Sequence, residues 1–147
     1  SGTYDMGFAD LAALMEFHAN NPDAQNKPVA VMMVYNNTPA SVMALKKSGI
    51  TKPADLNGKK LGAPVFDAGR KGFPIFQKAN AVSNVAWTSM DPPLRETMLV
   101  RGDIDAITGF SFTSLLNLEA RGVKAEDVVI LPYADHGVKL YCKAIIA

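Results

Sequence analysis

Between Lys60 and Leu131, short apolar runs alternate with amphipathic stretches. That rhythm constrains the fold more than any other feature of the chain. Lys60–Pro64, Val85–Thr88, Ile104–Thr108 and Val128–Leu131 are strand-like. Between them, Gly72–Asn80, Pro92–Arg101 and Ser111–Arg121 have helical character. Proline stands in the first turn of the second helical stretch, and Gly102 and Gly122 follow the second and third as stops. Strands and helices alternating at this spacing predict βαβ units on a parallel sheet.

The flanks read differently. Tyr4–Phe8 is a short strand, and Ala9–Ala19 a helix with Leu11, Leu14, Met15 and His18 on one face and Asp10 at its positive end. "VAVMMVY" (Val29–Tyr35) is a continuous apolar run, as expected of a strand buried on both faces. "NNTPAS" breaks it, "VMALKK" follows as a second strand-like run, and "SGITKPADLNGKK" supplies turn residues. The last run, Val138–Ala147, is a strand in which the chain stops. Bare apolar strands at both ends predict a fragment, one nearly complete α/β lobe between pieces of another, with a compact single domain that ends in edge strands as the alternative. They also predict self-association through unpaired edges.

Fifteen cations against fourteen anions leave a net charge of +1, which disfavours non-specific nucleic-acid binding. No apolar run reaches the roughly 18 residues of a membrane span. A single cysteine, Cys142, excludes an intrachain disulfide, and with His18 and His136 far apart no zinc-ligand spacing exists. Met32, Met33, Met43, Met90 and Met98 lie in apolar runs and read as core filler.

Candidate chemistry collects at strand-to-helix corners. "LGAPVFDAGRKGFPIF" (Leu61–Phe76) carries neither GxxxxGK[ST] nor GxGxxG, so nucleotide binding is disfavoured. What remains is a helix N-terminus with Asp67, Gly69 and Arg70, able to hold a carboxylate, sulfonate or phosphate, or else a plain turn with solvated cations. Pro74 predicts that this helix begins near Lys71 or carries a kink. "TGFSFTSL" (Thr108–Leu115) lacks the second glycine of a nucleophile elbow. Ser111 is expected to cap the helix, while Gly109, Phe110 and Ser111 face the carboxyl edge of the sheet. Phe8 and Asp10 form a third corner, each with a structural alternative as core or cap. Asn36 and Thr38 occupy a polar break that is either a loop tip or a hinge, and Tyr133 lies in a second such break. Two polar breaks bracketing a βαβ lobe predict a two-lobe binding protein that closes by hinge motion. No catalytic or metal-binding residue and no cofactor is expected.

"YDMGFADLAAL", "SGITKPADLNGKKLGAP", "LRETMLVRGDIDAITGF" and "YADHGVKLYCKAIIA" resemble the periplasmic solute-binding proteins of ABC transporters. The branch is the NMT1/THI5-like one, with taurine, sulfonate, nitrate and pyrimidine-precursor binders. The resemblance implies a type II periplasmic-binding α/β fold, here one nearly complete lobe plus part of a second. Residues 1–40 would belong to lobe one, 41–132 to lobe two, and 133–147 to the return crossover and a lobe-one strand. It implies a non-enzymatic, periplasmic capture protein, a small-molecule ligand, and an ABC permease as partner of the full-length protein; no signal-peptide pattern is read in these residues. The ligand would be a thiamine pyrimidine precursor or a sulfonate-like anion held between lobes. Its contacts would be Phe8, Asp10, Asn36, Thr38, Asp67, Gly69, Arg70, Gly109, Phe110 and Ser111, with Tyr133 weaker. Phe8 and Phe110 would enclose the apolar part, Arg70 would hold an anion, and Asp10 would hold an amine. Two alternatives remain: a THI5-like pyrimidine-precursor synthase, whose cysteine-rich motif is lacking here, and the effector-sensing domain of a LysR-type regulator, which shares the implied fold and would carry a helix-turn-helix domain upstream.

Overall fold

A computed structural model describes residues 3–140 and 143–147. Cys142 and part of the expected C-terminal strand lie outside the described residues. The chain divides into two compact units, Ser1–Thr38 with Lys139–Ala147, and Pro39–Val138. The second division falls after Val138, because Tyr133 and Val138 are 1% and 0% exposed within the core of the larger unit.

The larger unit is built on a five-stranded sheet. Its strands are β3 (Ala40–Leu45), β4 (Lys60–Gly62), β5 (Ala86–Thr88), β6 (Ala106–Phe110) and β7 (Val128–Pro132), in the order β5-β4-β6-β3-β7. β4 runs parallel to β5 and β6, as the rhythm predicts. β3 runs antiparallel to both β6 and β7, so the sheet is mixed rather than parallel. The reason is positional: β3 enters before the βα repeat begins, with no crossover helix to set its direction.

Helices cover both faces, and the strands show it residue by residue. Val42, Ala44 and Ala106 join Phe73 and Phe76 of α2 (Ala68–Ala79) in one core. Met43, Leu45 and Ile107 join Leu99 of α3 (Arg95–Arg101) and Leu118 of α4 (Ser111–Glu119) in another. Every residue of β3 is buried, the mark of a strand packed on two sides.

Two local expectations are corrected. α2 begins at Ala68, not near Lys71, and Pro74 sits inside it. An interior proline costs on the order of 3 kcal/mol. The burial of Phe73 and Phe76, worth about 1.5–3 kcal/mol each, offsets that cost, while Pro74 faces solvent. Ser111 is the first residue of α4 rather than its cap; Phe110 holds the cap position without a side-chain bond.

The "PADLNGKKLG" phrase is architectural. Asp55 Oδ2 accepts from the Thr51 and Lys52 amides and from Thr51 Oγ1. These bonds, led by the Thr51 amide, hold its carboxyl below the usual range. Asn57 Oδ1 accepts from Ser83 Oγ, and Leu56 between them is fully buried.

The smaller unit has β1 (Gly7–Asp10), β8 (Lys143–Ile146) and β2 (Ala30–Met33) in the order β1-β8-β2, each pair antiparallel. Its helix α1 (Leu11–Asn20) contains no buried residue. "VAVMMVY" is therefore not buried on both faces: Val29, Val31 and Met32 are more than half exposed. Met32 is no core filler, whereas Met43 is fully buried. A cavity of about 300 Å³ opens between α1 and β2, lined by Leu14, Met15, His18, Pro28, Val29 and Ala30. Among the described residues, no helix is long and apolar enough to cross a membrane.

Candidate functional site

The carboxyl ends of β4 and β6 meet two helix N-termini in the larger unit. After β4 the chain passes buried Ala63 and Pro64, exposes Val65 and Phe66, and turns into α2 at Asp67. Asp67 is the N-cap: its Oδ2 accepts from the Arg70 amide at 2.9 Å. The same oxygen accepts from Thr108 Oγ1 of β6 at 2.9 Å, which ties the two corners together.

Gly69 and Gly109 allow this closeness. A Cβ on Gly69 would lie 3.0 Å from Thr108 Cβ and 3.2 Å from the Gly109 nitrogen. Beneath them, Tyr133 donates from its hydroxyl to the Gly69 carbonyl at 2.6 Å. Tyr133, expected as a weaker ligand contact, is instead a core residue that buttresses the start of α2. Its ring stacks on Phe76 at 4.9 Å between centroids.

Burial, and then the Asp67 charge, push the Tyr133 phenol up from its ordinary value. The folded state thus holds this proton more tightly than the unfolded chain. The stabilisation is complete below the ordinary phenol pKa of about 10 and is lost as pH rises above it. We expect the unfolding free energy to fall more steeply between about pH 9 and pH 11 in the native protein than in Tyr133→Phe. Parallel urea titrations of both proteins check this; equal slopes would contradict it.

Arg70 is held as an oriented cation. Its Nη1 donates to the Ala63 carbonyl at 3.0 Å and to Ser89 Oγ at 2.8 Å. Its guanidinium lies 4.9 Å from the Trp87 ring centroid. Among the described residues, no carboxylate lies within ion-pair distance of it. An arginine oriented in this way at a helix N-terminus has the chemistry to receive an anion.

Behind this corner lies a buried ionic group. Arg95 contacts Asp67 Oδ1 at 3.4 Å and the Thr108 carbonyl at 3.2 Å through Nη1. It reaches Glu96 Oε1 through Nε at 3.0 Å and Nη2 at 2.9 Å. Glu96 Oε1 also accepts from Ser114 Oγ of α4 at 2.8 Å. Sequence reasoning missed Arg95, Glu96, Thr108 and Ser114, as well as Trp87 and Ser89. One signal was available: Arg95 and Glu96 precede buried Leu99 by four and three residues, so helical periodicity puts both on the inner face.

The structure brings Asp67, Gly69, Arg70 and Gly109 to one corner. Phe110 ends β6, half-buried, with its ring 5.8 Å from that of exposed Phe112. Ser111 follows it, half-buried. The remaining candidates lie outside the larger unit. Phe8 is 61% exposed on β1. Asp10 caps α1 through the Ala12 amide at 2.9 Å and lies 3.7 Å from Lys143 Nζ, so its carboxylate is already engaged. Asn36 and Thr38 lie outside regular structure, in the segment that ends the first unit. Among the described residues, no cluster of three or more His, Cys, Asp or Glu side chains could hold a metal ion.

The NMT1/THI5 like family model matches residues 1–147. Compared by sequence with curated proteins, the chain matches none. Among solved structures it is similar to the periplasmic aliphatic sulphonate binding protein SsuA from Escherichia coli. That match has a TM-score of 0.76 at 16% identity and covers 99% of this chain and 45% of that one. It is similar to the putative sulfonate ABC transporter's periplasmic sulfonate-binding protein SsuA from Methylobacillus flagellatus KT (TM-score 0.72, 21% identity, 99% and 42%). It is also similar to an ABC uptake transporter substrate binding protein from Streptococcus pneumoniae with bound histidine (TM-score 0.62, 22% identity, 99% and 56%). The chain spans about half the length of the structures it matches. Its fold is of the type II periplasmic-binding kind, an α/β fold with one nearly complete lobe and part of a second. Whole-length agreement with the family model, together with this fold, makes the chain a member of the NMT1/THI5-like family.

Proposed function

We propose that this chain is the ligand-capturing part of a solute-binding component of an ABC importer, non-enzymatic and periplasmic, which hands a small organic anion to a membrane permease. The observation that carries the ligand class is Arg70, oriented by Ala63, Ser89 and Trp87 yet lacking a carboxylate partner among the described residues. On the short loop that leads into α2, Val65 and Phe66 stand 64% and 66% exposed. A cation and bare apolar side chains at one strand-to-helix corner suit a ligand with an acidic head and an apolar body, as in an alkanesulfonate. The sulphonate binders among the similar structures support the same chemistry.

The test is a thermal-shift comparison on the full chain with butanesulfonate, a pyrimidine base and histidine. At a hundredfold excess over Kd, binding adds about 2.7 kcal/mol to stability, which is roughly 5–10 °C for a chain of this size. Butanesulfonate is expected to give such a shift and Arg70→Ala to abolish it. An undiminished shift in that variant, or a response to the pyrimidine alone, would reject the anion seat.

A second copy of the chain is a further proposed partner. Val31 and Met32 of the edge strand β2, and Val29 just before it, are more than half exposed, with no charged residue between Pro28 and Tyr35. Sedimentation is expected to show concentration-dependent dimers or larger species; a monomer at high concentration would contradict this.

A further inference from the structure

We infer that Arg95 is a positioning residue that screens Asp67 from behind, so that the corner presents Arg70 as its effective charge to an anionic ligand. The inference rests on the anion reading above. Asp67 creates the difficulty: it must cap α2, yet it sets a carboxylate three residues before the cation meant to attract an anion. A carboxylate there repels the ligand across a short, partly desolvated distance. Arg95 approaches it from the protein side. The two side chains are only 11% and 13% exposed, so their attraction is little screened by water.

The guanidinium is not free to reach the ligand itself. Glu96 holds two of its nitrogens, the Thr108 carbonyl accepts from the third, and its group lies against the bare backbone of Gly109. Ser114 fixes Glu96 in turn. One cation facing two carboxylates leaves this buried group with a net charge of −1. Without Arg95 it becomes −2. With Arg95 and Asp67 both neutral it returns to −1. Charge and structure can therefore be separated, because asparagine caps a helix as well as aspartate does.

Isothermal titration of the full chain with butanesulfonate makes the separation. Arg95→Gln is expected to weaken binding about tenfold, the effect of roughly 1.4 kcal/mol. Adding Asp67→Asn to Arg95→Gln should restore affinity to within about threefold of native. Glu96→Gln keeps the oxygen that Arg95 and Ser114 use and removes one negative charge, so it should tighten binding about threefold. A double variant no better than Arg95→Gln, or a Glu96→Gln protein that binds no more tightly, overturns the inference. Glu96→Gln also carries the test if Arg95→Gln does not fold.

Failure of the anion reading looks different: the native protein would not bind butanesulfonate at all. A ligand-free arm still decides the screening in that case. Asp67→Asn should lower the Tm of the native protein, where it breaks a charge pair, and raise that of Arg95→Gln, where it removes an unpaired carboxylate. Lowering in both backgrounds would overturn the inference.

Discussion

Replacing Gly109 with alanine is expected to destabilise the larger unit by about 3 kcal/mol, on the scale of breaking a buried ion pair. A Cβ at this position would stand 2.6 Å from Arg95 Nη1, 3.0 Å from Cζ and 3.3 Å from Nη2. The guanidinium must then move. It is held against Thr108, Asp67 and a Glu96 that is 1% exposed, so any shift breaks those contacts. Displacing it strips charge compensation from Glu96, and an uncompensated buried carboxylate costs far more than the methyl group contributes. The same shift withdraws Arg95 from Asp67, so anion binding should weaken along with stability. Urea unfolding gives the measurement; a loss under about 1 kcal/mol would mean that the guanidinium relocates without penalty.

Phe76→Ala is expected to cost about 3–5 kcal/mol, the usual range for removing a fully buried phenylalanine. Phe76 is 0% exposed and stacks between Phe73, at 5.6 Å, and Tyr133, at 4.9 Å. It thus joins α2 to the residue that buttresses the start of that helix. Total stabilities of single domains are about 5–15 kcal/mol, so this variant should sit near the limit of folding. Ile75→Ala, next in sequence but 45% exposed, should cost about 0.5 kcal/mol or less. Denaturant midpoints separate the two; similar losses would show that the aromatic stack is not the centre of this core.

Much of the larger unit is legible in the sequence, because each of its helices follows a strand that feeds it and buries an apolar face against the sheet. That pattern survives local conflict. Pro74 argues for a later start to α2, but Asp67 caps the helix at Ala68, and two buried phenylalanines outweigh the missing backbone bond. The direction of β3 was not legible, since strand direction depends on what precedes the strand and its neighbours in the sheet. Nor did apolar runs reveal their own burial. "SVMAL" and "VAVMM" look alike as strings. The first lies between two helix layers and is buried throughout, while the second edges a three-stranded sheet beside a helix with no buried residue.

The candidate corner was legible for the same reason as the strands: turns after strands end at the carboxyl edge. Asp67, Gly69, Arg70 and Gly109 could be named without coordinates. Their roles could not. The partner of Asp67 is Arg95, which lies 28 residues beyond it in sequence. Only the folded structure shows Arg95 engaging Asp67, while Arg70 keeps Trp87 and Ser89 and, among the described residues, no carboxylate. Tyr133 looked like a loop residue because it follows Pro132 in a polar segment. Its ring is in fact the floor beneath Gly69.

The central claim is that an anion sits on Arg70 at the start of α2. Amide and arginine side-chain NMR of the labelled chain during a butanesulfonate titration tests it most directly. The account predicts that the Arg70 Nε–H signal and the amides of Ala68 and Gly69 move together and saturate, with no such movement in Arg70→Ala. Saturable binding that leaves these three signals in place would contradict it.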